Sequence, residues 1–258
     1  MTQSGFEPPQ CRLSLLLPAY NEGRDIVENV LKAASQIEQF ADTYEVIVIS
    51  DGSTDDTVAQ VQKAATVNPH IALIQYGQNM GKGHALRVGT QSAVGEYIAF
   101  CDADMDIEPE QLSLFFRILQ AEAADAVIGS KMHKASKVDY PLPRRIYSWV
   151  YYLLLLILFQ LHTKDTQTGL KLFRADVLKP VMRKILVKRF AFDIEVLSII
   201  SARGYKIVSA PVRVVFHRAA LGRIGFSDIV GILLDTAAVF YRLKILHYYD
   251  ENAQKMKE

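Results

Sequence analysis

The chain has 258 residues, of which 50% are hydrophobic and 22% are charged. This balance indicates a globular protein of one large or two small domains, and it excludes a disordered tail, a collagen-like fibre and a disulfide-stapled miniprotein. Lysine and arginine total 29 against 28 aspartates and glutamates, so there is no global basic field to attract nucleic acid. Two cysteines are too few for a disulfide framework or a four-sulfur zinc site, which favours a reducing compartment.

Short apolar runs alternate with amphipathic segments through the first half of the chain. The runs predict buried strands at 13–17, 46–50, 71–75, 97–101 and 126–129. The segments between them have the apolar spacing of helices, at 25–40, 55–66, 84–94 and 109–121. This alternation predicts an α/β fold, a mainly parallel sheet with helices on both faces, whose ligands bind beyond the carboxyl ends of the strands.

The alternation lapses after about Lys131. Residues 146–161 form an apolar run that is short for a membrane-spanning helix of about 20 residues. Its tyrosines and its tryptophan gather beside Arg144 and Arg145, as in helices that lie at a lipid headgroup boundary. A buried core helix is the alternative. Residues 226–246 predict a second membrane-facing helix or one that packs on the sheet.

The second half of the chain elaborates the first rather than forming an independent domain. We expect one domain at 13–245, between terminal tails at 1–12 and 246–258. The first ten residues lack the apolar segment of a signal peptide. The sequence therefore predicts a cytoplasmic protein that associates peripherally with a membrane surface.

Polar residues follow the first three predicted strands, where a ligand is expected. Tyr20 offers an aromatic face for stacking on a base, and Asp51 can accept hydrogen bonds from a base or a ribose. For Asp55, the simpler interpretation is an acid at a helix N-terminus. The segment 77–83 lacks the spacing of a P-loop, but its Lys82 can meet a phosphate near a helix start if it is not simply solvated.

Three carboxylates follow the fourth predicted strand at alternate positions, Asp102, Asp104 and Asp106. Acids crowded at the end of a buried strand repel one another and lose hydration unless a cation compensates them. Oxygen-only ligands favour a hard cation such as Mg²⁺ or Mn²⁺, which often binds substrate phosphates as well. The sequence therefore predicts a site for a divalent metal and a diphosphate.

The order of these motifs resembles that of a known enzyme family. The motifs are Pro18-Ala19-Tyr20-Asn21-Glu22, Asp51-Gly52-Ser53, Gly81-Lys82-Gly83 and Asp102-Ala103-Asp104. They resemble the family 2 inverting glycosyltransferases, whose GT-A fold is Rossmann-like. The later segments 165–173 and 189–195 are similar to the polyprenyl-phosphate members, the dolichyl-phosphate glucosyltransferases and dolichol-phosphate mannose synthases. The resemblance implies transfer of a hexose, glucose from UDP-glucose or mannose from GDP-mannose, to a polyprenyl or dolichyl phosphate.

The resemblance also implies roles for individual residues. Those that would hold the nucleotide are Pro18, Tyr20, Glu22, Asp51, Lys82 and Ala103. Asp102 and Asp104 would meet the metal and the diphosphate, with Asp106 as a further metal ligand where mannosyl relatives commonly carry Gln. Basic residues that would stabilise the leaving diphosphate are Lys131, Arg218 and Arg223.

A lipid phosphate acceptor changes what the site must supply. The second pKa of such a phosphate is about 6, so near neutral pH it is mostly dianionic and needs no dedicated general base. It needs cations that hold it beside another anionic substrate, and the candidates are Arg144, Arg145, Lys171 and Arg174. Attack from the opposite face of the sugar would invert the anomeric centre.

Two other functions stay open on the sequence. A saccharide-extending glycosyltransferase needs a carboxylate base near the anomeric carbon, and only Asp193 or Glu195 is available. Structural pairing of these acids with Lys188 or Arg189 is the alternative. A catalytically silent scaffold that binds nucleotide sugars is the non-enzymatic possibility, and the intact acidic cluster at 102–106 argues against it.

Overall fold

The computed structural model of the protein describes residues 12–138, 142–161, 163, 165–188, 191–215 and 226–250. The strands in this part of the chain are β1 (Arg12–Ala19), β2 (Thr43–Asp51), β3 (Ile71–Tyr76), β4 (Tyr97–Phe100), β5 (Ala126–Ser130), β6 (Lys171–Arg174) and β7 (Ile207–Pro211). The α-helices are α1 (Ile26–Glu38), α2 (Thr57–Val67), α3 (Lys82–Ser92), α4 (Leu112–Ala121), α5 (Leu142–Phe159), α6 (Ala175–Met182), α7 (Phe192–Ala202) and α8 (Phe226–Phe240). A 3₁₀ turn (Pro109–Gln111) precedes α4, and a π-helical turn (Tyr241–Ile245) follows α8.

The strands form one sheet in the order β3-β2-β1-β4-β6-β5-β7. β6 is antiparallel to β4 and β5, and the other pairs are parallel, which confirms the predicted mainly parallel α/β sheet. The chain enters β6 from the carboxyl edge of the parallel strands. Lys171 therefore lies opposite Phe100 at the end of β4, whereas Arg174 lies opposite Tyr97 at its start.

Helices cover both faces of the sheet, so the strands are buried on both sides. Along β1, Leu15 and Leu17 join the core under α1, α2 and α4, whereas Leu16 joins the core under α3, α6 and α7. A strand between two cores has no solvent-facing positions in its middle. This double burial explains why the predicted strands read as unbroken apolar runs.

The apolar helix α5 has one buried side and one exposed side. It begins before the predicted helix at 146–161 and ends slightly earlier. Leu155 and Phe159 are buried in the core, whereas Val150 and Ile157 are 64% and 70% exposed. The inner side of α5 therefore fits the predicted core helix, and its outer side is the apolar face that the alternative prediction requires.

The helix α8 packs beside α5. The hydroxyl oxygens of Tyr151 and Thr236 lie 3.1 Å apart, and the rings of Phe159 and Phe240 meet edge to face. The outer side of α8 is apolar and open, with Leu234 67% exposed. Neither of these helices, nor any other in the described ranges, combines the length and apolar character needed to cross a membrane.

Candidate active site

The loops that follow β1 and β2 are hydrogen-bonded to each other at the carboxyl edge of the sheet. The side-chain oxygen of Asn21 accepts a hydrogen bond of 2.8 Å from the Thr54 amide, and the Asn21 amide donates to the Ser53 hydroxyl. The Glu22 amide donates to the Thr57 hydroxyl at 2.8 Å. These bonds join residues more than 30 positions apart into one wall of the site.

Asp55 has the structural role predicted for it. One of its carboxylate oxygens accepts from the Thr57 amide in the first turn of α2, and the other accepts from the Gly23 amide at 3.0 Å. Partial burial opposes ionisation, but the hydrogen bonds from Thr57 and Gly23 lower the pKa of Asp55. Asp55 thus fastens the start of α2 to the loop after β1.

Asp51 organises the loop that follows β3. Its carboxylate accepts hydrogen bonds of 2.7 to 2.8 Å from the Tyr76 hydroxyl and from the amides of Met80 and Gly81. Burial and the Asp51 carboxylate raise the pKa of Tyr76, which keeps its hydroxyl a donor. Gly52 adopts a φ of +71°, and a Cβ there would lie 2.4 Å from backbone atoms of this loop. The loop therefore requires glycine at position 52.

These loops enclose a cavity of about 450 Å³, which we call the large cavity. Its lining residues are Pro18, Ala19, Tyr20, Asp51, Asn79, Gly81, Lys82 and Asp102. The volume of this cavity is within the usual range for small-molecule sites. Tyr20, in its wall, is 47% exposed. The predicted residue Glu22 does not line it; the Glu22 carbonyl instead accepts from the amides of Asp25 and Ile26 at the start of α1.

The acidic loop after β4 alternates between the cavity and the core. Asp102, Asp104 and Asp106 are partly exposed, whereas Ala103 and Met105 are buried. Ala103 is only 4% exposed and packs in the core under α1. Its side chain therefore points into the core and lines neither cavity, and the predicted contact of Ala103 with the nucleotide stays a prediction.

The acidic loop carries opposed electrostatic effects. Burial raises the pKa of Asp104 to about 6, and the neighbouring carboxylates of Asp102 and Asp106 add to this effect. Burial also disfavours the charge of Asp102, but its ion pair with Lys82 lowers the pKa of Asp102. Asp104 is therefore the acid whose charge the protein compensates least.

A second, smaller cavity of about 100 Å³ adjoins the large one, and we call it the acidic cavity. Its lining residues are Asp102, Asp104, Asp106, Ile107, Lys131, Gln167, Gly169 and Val214. Asp102 lines both cavities, so they adjoin each other, and we call the two together the cleft. Within the described ranges, no three acidic, histidine or cysteine side chains converge closely enough to hold a metal ion by themselves.

The segment before β6 completes the acidic cavity. A Cβ at Gly169 would lie 2.2 Å from a carboxylate oxygen of Asp102, so only glycine fits against that acid. The carboxylate of Asp165 accepts from the amides of Lys131 and Gln167 at 3.0 and 3.3 Å. Asp165 was not predicted as a site residue, although it begins the segment 165–173 on which part of the family resemblance rests.

The structure corrects two of the predicted acceptor cations. Lys171 is 1% exposed, and its ammonium pairs with Asp193 at 2.7 Å and donates to the Thr168 carbonyl. Arg174 pairs with Asp176 and Asp125 at the amino edge of the sheet, because antiparallel β6 carries it away from the site. Neither cation is available to position an acceptor phosphate.

The other predicted cations lie outside what the structure describes. Arg144 and Arg145 belong to the first turns of α5, but their side chains are not among those described. Arg218 and Arg223 lie in the undescribed range 216–225. Their roles stay predictions.

The two acids of α7 are buried and bonded within the protein, whereas the expected partner Arg189 lies outside the described residues. Asp193 pairs with Lys171, and Glu195 is fully buried. One oxygen of Glu195 accepts from the amides of Leu186 and Val187 at 2.9 and 2.8 Å. Its other oxygen accepts from Arg242 and Tyr249, beyond α8.

Comparison with known proteins agrees with this architecture. The sequence profile described as Glycosyl transferase family 2 matches residues 14–186. A dolichyl-phosphate beta-glucosyltransferase of Trichomonas vaginalis is 30% identical over 253 residues, which cover 93% of this chain and 77% of the relative. The human dolichyl-phosphate beta-glucosyltransferase is 32% identical over 223 residues, covering 81% of this chain and 68% of the relative.

Solved structures share the fold. Glucosyl-3-phosphoglycerate synthase from Mycobacterium tuberculosis, in complex with Mn²⁺, UDP and its product, matches with a TM-score of 0.67 at 18% identity. That match covers 90% of this chain and 79% of the other. The profile match spans most of the chain and includes every residue that lines the two cavities except Val214. The chain is therefore a glycosyltransferase and belongs to glycosyl transferase family 2.

Proposed function

We propose that this enzyme transfers glucose from UDP-glucose to the phosphate of a dolichyl or other polyprenyl lipid, with inversion at the anomeric carbon. The observation that carries the proposal is the cleft formed by two adjoining cavities that share Asp102. The large cavity has the size and aromatic wall for a nucleotide, and the acidic cavity has the charges for phosphates and a cation. The names of the relatives support glucose and dolichyl phosphate, and the UDP complex of the structural neighbour supports uridine.

A divalent cation, Mg²⁺ or Mn²⁺, fits the acidic loop. Asp102, Asp104 and Asp106 would hold it, since the raised pKa of Asp104 indicates negative charge that needs compensation. Such cations commonly keep water and substrate oxygens as ligands, so a site without three converging side chains suits them. When bound, the cation would neutralise charge on the leaving diphosphate.

The protein's own cations act on the same group. Lys82 is the first residue of α3, and the partial positive charge of a helix N-terminus favours anions. Its ammonium pairs with Asp102 across the large cavity, and a diphosphate there would offer it a second anionic partner. Lys131 lines the acidic cavity on the other side of Asp102. Charge that develops on the leaving group would thus meet fixed lysines from both cavities.

A phosphate acceptor suits this cleft better than a sugar hydroxyl does. A hydroxyl would need a carboxylate base, but Asp193 and Glu195, the acids that the sequence offered for this role, are buried and bonded within the protein. A lipid phosphate is already ionised near neutral pH. Of the cations predicted to hold it, Arg144 and Arg145 remain candidates.

The exposed apolar side of α5 and α8 would bring the enzyme to the lipid. The exposed members of this face are Trp149, Val150, Leu153, Ile157, Leu233, Leu234, Tyr241, Ile245 and Leu246. Large contiguous apolar faces are uncommon on proteins that meet only water, and we propose that these side chains form one. Partial insertion into the headgroup region would bury these side chains without a spanning helix.

The activity is tested by incubating the protein with radiolabelled UDP-glucose, Mn²⁺ or Mg²⁺, and dolichyl phosphate, and then extracting the lipid. We expect label in an acid-labile lipid. GDP-mannose serves as the competing sugar donor, and an oligosaccharide serves as the competing acceptor. Label on the oligosaccharide without label in the lipid would reject the proposal.

Membrane docking is tested separately by flotation with liposomes that contain dolichyl phosphate. We expect the wild-type protein to float and the double variant Val150→Glu/Ile157→Glu to stay at the bottom of the gradient. Both residues point away from the core, so the variant should keep its fold. Equal flotation of the two proteins would show that this face does not dock.

A further inference from the structure

The start of α7 lies directly behind the ion pair of Lys82 and Asp102, although α7 lines neither cavity. A Cβ at Gly83 would lie 2.6 Å from the Cβ of Phe192, the first residue of α7. Two buried acids follow in the same turn, Asp193 and Glu195. Buried carboxylates are costly unless they are paired, so their partners indicate what this turn holds in place.

Asp193 is connected to Asp102 through Lys171. The Lys171 ammonium lies 2.7 Å from the Asp193 carboxylate and also donates to the Thr168 carbonyl. The next residue, Gly169, packs directly against the carboxylate of Asp102. Asp193 thus holds Lys171 in place, and Lys171 holds the backbone at 168–169, which contacts the Asp102 carboxylate.

Glu195 is connected to Lys82 by a parallel route. One of its oxygens accepts from the amides of Leu186 and Val187. The adjoining Lys188 carbonyl accepts a hydrogen bond of 2.9 Å from the Gly83 amide, in the first turn of α3. Glu195 thus holds the segment 186–188 in place. This segment accepts the hydrogen bond from the start of α3, where Lys82 lies.

We propose that Asp193 and Glu195 are positioning residues, which set the places of Asp102 and Lys82 for the nucleotide diphosphate through the segments 168–169 and 186–188. This inference rests on the proposed function for the identity of the ligand. It concerns residues that touch no substrate and act only through the backbone they hold. Supporting groups of this kind typically change ligand affinity by about 10–100-fold when they are removed.

The test uses Asp193→Asn and Glu195→Gln, with Glu45→Gln as the matched control. Glu45 is also a carboxylate that accepts from a backbone amide, that of Val94, but it lies at the amino edge of the sheet. In the ligand-free protein, we expect faster hydrogen exchange at 168–171 for Asp193→Asn and at 82–86 and 186–188 for Glu195→Gln. The control should leave these amides unchanged.

The affinity for UDP with Mn²⁺, measured by calorimetry, should fall about tenfold or more in both variants and stay unchanged in Glu45→Gln. The variant Lys171→Met/Asp193→Leu distinguishes positioning of the site from a role in stability alone, because apolar replacement of a buried ion pair commonly preserves stability. We expect this variant to fold and still to bind UDP weakly. Wild-type affinity and unchanged exchange in it would overturn the inference.

The two proposals fail in distinguishable ways. If the wild-type protein binds neither UDP nor GDP with Mn²⁺, the proposed function is wrong. The exchange rates at 82–86, 168–171 and 186–188 need no ligand and still decide whether the start of α7 positions these segments.

Discussion

The two sides of the cleft differ in how their polar groups are satisfied. Around the large cavity, the carboxylate of Asp51 accepts three hydrogen bonds, and the loops after β1 and β2 are bonded to each other. Around the acidic cavity, burial and two neighbouring carboxylates raise the pKa of Asp104 to about 6. On the first side, the protein's own hydrogen bonds satisfy the Asp51 carboxylate. On the second side, repulsion between carboxylates is left for a bound cation to relieve. Removing the Asp51 hydrogen bonds on the first side should therefore lower stability, whereas removing an acid on the second side should lower activity.

Asp104→Asn should show the largest effect of all, on catalysis. We expect glucosyl transfer to dolichyl phosphate to fall by roughly 10²–10³-fold, as when one preorganised group is removed from a developing charge. The urea midpoint should not fall, because the substitution removes a charge that the fold disfavours. Asp42→Asn, an exposed acid far from the cleft, is the control. Turnover near the wild-type rate would contradict the metal assignment.

Asp51→Ala should affect stability instead. The substitution leaves the Tyr76 hydroxyl and the amides of Met80 and Gly81 without their acceptor. We expect the free energy of unfolding in urea to fall by about 3 kcal/mol, since each unsatisfied buried donor costs about 1–3 kcal/mol and the loop relaxes in part. Tyr76→Phe removes one of these bonds and should cost about 1 kcal/mol. An unchanged urea midpoint for Asp51→Ala would show that the hydrogen bonds of Asp51 do not stabilise the first side of the cleft.

The pH dependence of stability should separate wild type from Asp104→Asn. Folded Asp104 keeps its proton up to a pKa of about 6, whereas the unfolded chain releases it near 3.8. The folded state therefore binds more protons between these values, and the wild type loses stability as pH rises through that window. We expect the difference in free energy of unfolding between variant and wild type to grow by about 2 kcal/mol from pH 4 to pH 7. Urea unfolding in the presence of a metal chelator measures it, and a constant difference would refute the shift.

Tyr20→Ala should give the smallest effect, on nucleotide affinity alone. The ring is 47% exposed beside the large cavity, and stacking on a base is worth about 1–3 kcal/mol. We expect the affinity for UDP with Mn²⁺ to fall about tenfold, with no change in the urea midpoint. Tyr20→Phe, which keeps the aromatic face, should bind like the wild type. If both variants bind UDP with wild-type affinity, Tyr20 does not stack on the base.

Much of the first half could be predicted because its strands are local and buried on both faces. Apolar runs between polar turns marked β1 to β5 to within a few residues, and the polar residues after each strand pointed to one edge of the sheet. Parallel strands place their carboxyl ends together, so Tyr20, Asp51, Lys82 and Asp102 meet around one cavity. The motif did not reveal that the side chains of Ala103 and Met105, between the acids of the loop, point into the core.

The second half depended on pairings that no local pattern contains. β6 is four residues long, and its direction is set by partners that lie more than 40 residues away in sequence. That direction buries Lys171 at the site and carries Arg174 to the opposite edge. Periodicity and strand-end chemistry were enough for β1 to β5, the acidic cluster and the loops around the large cavity, because these rest on neighbours in sequence. The roles of Lys171, Asp193 and Glu195 were decided only by the tertiary fold, because the partner of a buried charge is a group distant in sequence that folding brings against it.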